Sequence, residues 1–347
     1  MGSATQIRLG GQARLLDFEE QYSGVPEASV YTSRINEILK PKVRSDLPIV
    51  LDLFAGTGGL ALGFESQGFK TIGFEMDEDC CDTYNANLVG ECRRVFLTPE
   101  TKLPEAGIII GGPPCQPFSV RGKQKGLSDE RNGFPAFIAA VDKIRPTVWL
   151  FENVRGLLYK NRNYFDEVVE TLRDLGYDIE FKLMNASEYD TPQNRERVVV
   201  VGTKIKSVFE FPAPTERKIF VRGALGKMMF ETSFQDKYLT PSMDLYIAKY
   251  EAASKCVVPR DLHPDKPART LTCRNLSGAT SDMHRIKLPN GKRRRITPRE
   301  AARLQSFPDW FSFSGVESSV FNQIGNAVAP MVAHHIAGAI KKHLGYG

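Results

Sequence analysis

The sequence predicts an α/β protein: a doubly wound, mainly parallel sheet with a second, smaller and irregular domain in its C-terminal half. Three observations predict it. Between Pro48 and Gly202, short apolar runs that end in glycine or a turn alternate with stretches of helical periodicity, the pattern of strands joined by crossover helices. The alternation then stops, and residues 203–292 carry Pro212, Pro214, Pro241, Pro259, Pro264 and Pro267 among irregularly spaced apolar residues. Helical periodicity resumes near Thr297. The chain therefore divides into an N-terminal extension (1–47), an α/β domain (48–202), an irregular domain (203–292) and a C-terminal segment (293–347).

Each element has its own signal. Ile49 to Phe54 is an apolar run ending at Gly56, Gly58 and Gly59, read as a buried strand and a tight turn. Leu60 to Gln67 is a helix closed by Gly68, Thr71 to Glu75 a second strand, and Glu78 to Asn87 a second helix. Ile108 to Ile110 is a strand that runs into Gly111 and Gly112, followed by a helix over Phe134 to Ile144 and a strand over Val148 to Phe151. Phe165, Val168, Val169, Leu172 and Leu175 fall on one helical face, capped by Gly176. Ile179 to Leu183 and Val198 to Val201 complete the strands. Pro298 to Phe307 reads as a helix. The last helix places Val332, Ile336, Ile340 and Leu344 on one face, with Pro330 near its start, where proline is tolerated. Such a helix is able to return and pack on the α/β domain.

Composition narrows the function. The chain has 347 residues, 41% hydrophobic and 25% charged, which is ordinary for a globular protein. No run approaches the roughly 18 apolar residues of a membrane span, and the N-terminus lacks the basic-then-apolar order of a secretory signal. A cytoplasmic location is expected. The six cysteines form no CxxC pair, which argues against a disulfide scaffold or a structural zinc site. The net charge is +5, yet residues 201–300 alone hold twenty Lys and Arg against ten Asp and Glu. A basic block suits a polyanion face; from charge alone a solvated surface is the simpler reading.

The motifs say more. Asp52-Leu53-Phe54-Ala55-Gly56-Thr57-Gly58-Gly59 sits where a strand becomes a helix. Glycines there admit a ligand close to the backbone, at the sheet edge where such folds bind nucleotides. Glu75 ends the next strand, placed to accept hydrogen bonds from ribose hydroxyls. These two features imply an adenosine-containing cofactor, and NAD and S-adenosylmethionine fit equally. In Gly111-Gly112-Pro113-Pro114-Cys115-Gln116-Pro117-Phe118-Ser119, two prolines fix the backbone just past a strand end, and a thiol comes next. Cys115 is thereby a nucleophile candidate rather than a core residue. Phe151-Glu152-Asn153-Val154 ends the adjacent strand, which brings Glu152 near Cys115 as a candidate proton donor to a ring nitrogen; read alone, a salt-bridged acid is the simpler reading. In Gln193-Asn194-Arg195-Glu196-Arg197, two arginines two residues apart on an extended segment point the same way, candidates for a carbonyl oxygen and a phosphate, though taken singly they also fit as surface charges.

Taken in this order, these residues resemble the cytosine-5 DNA methyltransferase family over roughly residues 48 to 344. Arg295 to Pro308 and Gln323-Ile324-Gly325-Asn326-Ala327-Val328-Ala329-Pro330 resemble two later motifs of that family. The long insertion before Thr297 falls where the family has its target-recognition domain, which turns the basic block into an expected DNA contact. The resemblance implies a Rossmann-like fold that uses S-adenosylmethionine and no metal, acting as a monomer on double-stranded DNA, in a restriction–modification setting.

It also implies roles. Cys115 attacks C6 of cytosine as a thiolate with a lowered pKa. Glu152 protonates N3, Arg197 binds the O2 carbonyl, and Arg195 belongs to the same catalytic set. C5 then takes the methyl group, and loss of its proton releases the thiol. The base must first be flipped out of the duplex. Phe54, Gly56, Gly58, Leu60, Glu75, Met76, Pro114 and Asn326 are implied at the cofactor. Gln116, Ser119, Arg121 and Gln124, on a loop over DNA, and Thr270, Arg269 and Arg274, in the insertion, are implied at DNA. Two departures stand out: Val95 to Glu100 lacks the Asp that the family sets against adenine, leaving a backbone carbonyl, Thr98 or Glu100 as its substitute, and Gly107 stands where the family more often has an acid before the strand. A tRNA-directed branch of the fold tends to have Thr where Ser119 stands and a compact insert, so DNA is favoured. A catalytically dead relative would not need Cys115, Glu152, Arg195 and Arg197 together, and an NAD oxidoreductase has no use for the Pro-Pro-Cys-Gln turn.

Overall fold

The computed structural model describes residues 29–114, 132–254, 260–278 and 281–346. Seven strands form one sheet: β1 (Val50–Leu53), β2 (Thr71–Glu75), β3 (Glu91–Arg94), β4 (Ile108–Gly111), β5 (Val148–Val154), β6 (Asp178–Asn185) and β7 (Glu196–Thr203). Their spatial order is β3-β2-β1-β4-β5-β7-β6. The first five pair in parallel, and β7 runs antiparallel to both β5 and β6. The expected doubly wound, mainly parallel Rossmann-like sheet is the observed one. The strand β7, expected over Val198 to Val201, runs reversed, slotted in as the return arm of a hairpin with β6. The strand β3 is an addition. It lies at an edge and buries only Cys92 of its four residues, so its sequence carries no apolar run.

Helices cover both faces. Phe134–Ile144 and Arg162–Asp174 pack on one, with Phe137, Trp149, Phe151 and Phe165 buried between. On the other, Gly59–Ser66 meets the C-terminal helix Pro330–His343, which returns to the sheet. Their approach is close: a Cβ on Gly63 would lie 2.4 Å from Ala333. Ser306, at φ 65°, ends the helix Pro298–Leu304 three residues earlier than expected and turns Phe307 into the core.

The region after Gly202 holds the short helices Val221–Leu225 and Cys273–Ser277, the longer helix Pro241–Ala253 and a hairpin of β8 (Arg285–Lys287) with β9 (Arg293–Arg295). The expected division at 292 and 293 falls in the turn of that hairpin. Among the described residues, only Leu239, Ile247 and Met283 form a separate small cluster. Val221, Leu271, Ile286 and Ile296 share a core with Pro298–Leu304 and Glu317–Asn326. The N-terminal segment joins that core too: the helix Ser29–Ile38 buries Tyr31 and Ile35, and Leu39 follows them in. Arg34 grips the buried Asp190 with two hydrogen bonds of 3.2 and 3.1 Å.

Candidate active site

The carboxyl ends of β1, β2, β4 and β5 meet at one sheet edge, and the turn after β1 shapes it. Phe54 holds a positive φ of 58°, Gly56 one of 52° and Gly58 one of 86°. The two glycines are required for different reasons. A Cβ on Gly56 would meet nothing within 4 Å, so the turn leaves open room above its backbone, whereas one on Gly58 would strike Tyr84 at 2.8 Å. Gly112, after β4, is as open as Gly56. Leu60 is buried and faces the sheet interior. Gln323 ties the turn to the C-terminal segment, accepting from Thr57 at 3.2 Å and from Thr83 at 2.7 Å.

Glu75 is held by three backbone amides: Gly56 N–H donates to Oε2 at 2.9 Å, and Met76 and Asp77 donate to Oε1 at 2.8 and 3.0 Å. The carboxylate is thus fixed at the strand end beside the open turn. Met76 is 59% exposed, and so is Phe96 at 58%, just past β3. Val95 N–H donates to Glu75 O at 2.7 Å, which sets these two segments side by side. Phe96 was not picked out from sequence; its signal is a large apolar side chain left in solvent. Below them, Asp52 is buried, one of its carboxyl oxygens has no partner, and burial followed by the nearby Glu75 raises its pKa well above the usual range.

Glu152 and Arg197 meet on the neighbouring strands. Glu152 pairs in register with Val199, and Val154 with Arg197, so the two side chains share one face diagonally. Arg197 Nε lies 3.2 Å from Glu152 Oε1, with 18% and 13% of the side chains exposed. Arg195 faces the same cavity as both, as its two-residue spacing from Arg197 requires. Its guanidinium donates to the carbonyls of Leu271 and Gly325 at 2.9 and 3.2 Å. Burial, then the charge of Arg197, lowers its pKa to about 9. Arg195 therefore braces two other segments against the sheet instead of reaching outward to a phosphate, because both of its bonded partners are interior carbonyls.

The Pro-Pro turn is anchored from β5. Asn153, buried, donates from Nδ2 to Pro113 O at 2.8 Å. Pro114 is exposed at the sheet edge and accepts from Gly133 N–H at 2.9 Å. Sequence reasoning passed over Asn153, although its place beside Glu152 was on view. Cys115, Gln116, Ser119, Arg121 and Gln124 lie outside the described residues. Asn326 is exposed at the end of its helix, where its Oδ1 accepts from Cys273 Sγ at 3.0 Å.

In the insertion, residues 268–271 run beside 192–195. Asn194 N–H donates to Ala268 O at 2.8 Å, and Thr270 Oγ1 to Asn194 O at 2.7 Å. Many arginines of the basic block are tied up internally. Arg269 and Arg260 both bind Asp282, at 2.8 and 2.9 Å. Arg285 binds Glu251 and Asp261, and Arg294 is buried against Glu300. Arg269, expected at DNA, is thus half spent on a carboxylate, while Arg274 is exposed with no ion pair among the described residues. Among the described residues, no group of three or more His, Cys, Asp or Glu is placed to hold a metal, and no helix is long and apolar enough to cross a membrane.

The fold and this edge define a Rossmann-like α/β protein of the methyltransferase class. Residues 49–342 match the family described as C-5 cytosine-specific DNA methylase. The chain is similar to the type II methyltransferase M.AplI of Arthrospira platensis, 51% identical over 88% of this chain and 89% of that one. It is also similar to M.XorII of Xanthomonas oryzae pv. oryzae, 32% identical over 86% and 85%. Among solved structures, a putative DNA modification methyltransferase encoded within an E. coli prophage superposes with a TM-score of 0.62 at 25% identity, covering 86% of this chain and 99% of that one. The Dnmt2 methyltransferase of S. pombe shares the fold with a TM-score of 0.69 at 18% identity, over 86% and 100%. The chain belongs to the C-5 cytosine-specific DNA methylase family.

Proposed function

We propose that this protein transfers a methyl group from S-adenosylmethionine to C5 of a cytosine in a specific double-stranded DNA sequence, as the modification enzyme of a restriction–modification system. The observation that carries the reading is the Glu152–Arg197 pair beside a sheet edge with open room over Gly56 and Gly112. The residues present fit the cofactor. The amide-fixed carboxylate of Glu75 takes the ribose, and Met76 and Phe96 offer apolar faces to adenine in place of the family's usual acid. Pro114 and Asn326 stand at the methionine end. The cofactor supplies an electrophilic methyl group.

The chain's own groups prepare the base. Cys115 adds through sulfur to C6, and the displaced ring electrons are met by a proton that Glu152 delivers to N3. Arg197 holds a positive charge at the O2 carbonyl as density grows there. After methylation, water takes the C5 proton, the electron pair re-forms the C5–C6 double bond as the C6–S bond breaks and Cys115 leaves as thiolate, and N3 returns its proton to Glu152. Arg195 and Asn153 keep this geometry by fixing Leu271, Gly325 and Pro113. The test uses duplex DNA with 5-fluorocytosine at the target, where fluorine blocks the final elimination. With cofactor, the expected product is a covalent complex that survives denaturant and disappears in Cys115→Ala; persistence of the complex in that variant removes Cys115 from the role. The target sequence comes from bisulfite sequencing of plasmid from cells expressing the chain.

A further inference from the structure

A cavity of about 420 Å³ opens on the far side of the molecule, lined by Lys42, Arg44, Ser66, Gln67, His334 and Lys341 among others. It sits near Gly68, which precedes β2, whereas Glu75 ends that strand. The five residues of that strand put it roughly 15 Å or more from the candidate active site. Three elements build it. The strap after the first helix is pinned by Lys42 N–H to Glu65 O at 2.9 Å and Arg44 N–H to Gly68 O at 2.7 Å. Residues 42 and 44 of an extended strap present their side chains to one side, and the C-terminal helix supplies His334 and Lys341 opposite them.

The charges in the cavity do not cancel. Arg44 is matched by Asp46, at 3.0 and 2.6 Å. Lys42 and Lys341 have no carboxylate within ion-pair distance among the described residues. The acids near them, Glu37 and Asp46, are paired with Lys40 and Arg44. The wall between the lysines is neutral and polar: His334 Nδ1 meets Ser66 Oγ at 2.7 Å, and Gln67 Nε2 lies 3.0 Å from His334 Nε2. Burial, with the charges of His335 and Lys42, pushes His334 down to about 4, so the ring is uncharged at neutral pH.

We propose that this cavity binds a phosphoryl dianion carried by a small phosphorylated molecule. Two ammonium groups with no ion pair among the described residues match two negative charges, and lysine serves phosphate as a point charge. The volume falls within the roughly 300–1,000 Å³ of small-molecule sites. Because its far wall is the helix that follows Asn326, occupancy bears on a segment that also reaches the methyl-transfer edge.

Calorimetry with inorganic diphosphate at low ionic strength tests the proposal, alongside the His334 ring resonances by NMR. The expected result is saturable 1:1 binding that shifts His334, weakened at least roughly tenfold in K42Q/K341Q, with that variant's thermal midpoint and methyl transfer unchanged. No saturable binding up to about 10 mM, or equal binding by K42Q/K341Q, overturns it. Displacement of diphosphate by a short random duplex at equal phosphate concentration also overturns it, since the cavity would then be reading nucleic-acid backbone.

Discussion

Arg197 Nε stands 3.2 Å from Glu152 Oε1 across the antiparallel pairing of β5 and β7. The pair is mostly shielded from water, and the contact holds each side chain in place against the other. On the proposed mechanism both act on one pyrimidine ring. Glu152→Gln should lower methyl transfer by about 10²–10⁴, and Arg197→Ala by about 10²–10³. The double variant should lose little more than the worse single one, because the groups act as a unit. Radiolabelled methyl incorporation into DNA measures all three; fully multiplicative losses would contradict a shared role.

Arg195 predicts a loss of stability. Arg195→Met strands the carbonyls of Leu271 and Gly325. Relief of the buried charge offsets part of that loss, leaving about 1–3 kcal/mol net. Urea denaturation measures it, and an unchanged midpoint would show that the brace is dispensable.

His284 predicts an acid-labile insertion. Burial lowers its pKa from 6.5 to about 4, and its Nδ1 has no hydrogen-bond partner among the described residues. Above pH 6.5 the ring is neutral in both folded and unfolded chains. Between 6.5 and about 4 the unfolded chain takes up a proton that the folded one refuses, so stability falls as pH falls through that window. The full effect is about 3 kcal/mol at pH 4. Thermal melts of His284→Gln should show a shallower acid slope than the parent.

Arg274 predicts a salt effect. It is exposed and unpaired among the described residues, whereas Arg269 is bound to Asp282. Arg274→Ala should weaken nonspecific duplex binding and reduce the slope of log K against log salt by about 1. Arg269→Ala should reduce it by less. Equal slopes for Arg274→Ala and the parent would take Arg274 off the DNA face.

Much of the site was legible because it sits at strand ends. A buried strand reads as an apolar run and its end as a glycine or proline turn, and the residues of that turn lie at the sheet edge. Gly56, Glu75, Pro114 and Glu152 were located this way. The helix Ser29–Ile38 is hard to read from sequence although Tyr31, Ile35 and Leu39 recur every four residues, because every residue between them but Ile38 is polar. The strand β3 was missed because an edge strand with one buried residue has no period to detect.

The sequence by itself determined the family, the sheet and the residues along its carboxyl edge, because those depend on local periodicity and on motifs a few residues long. Only the tertiary structure decided which charges remain available. Whether Arg195, Arg269 or Arg294 faces outward depends on Gly325, Asp282 and Glu300 arriving from other elements. Local spacing does not encode such meetings: a charged group in a folded interior is fixed by the partner that neutralises or hydrogen-bonds it, and chain packing selects that partner.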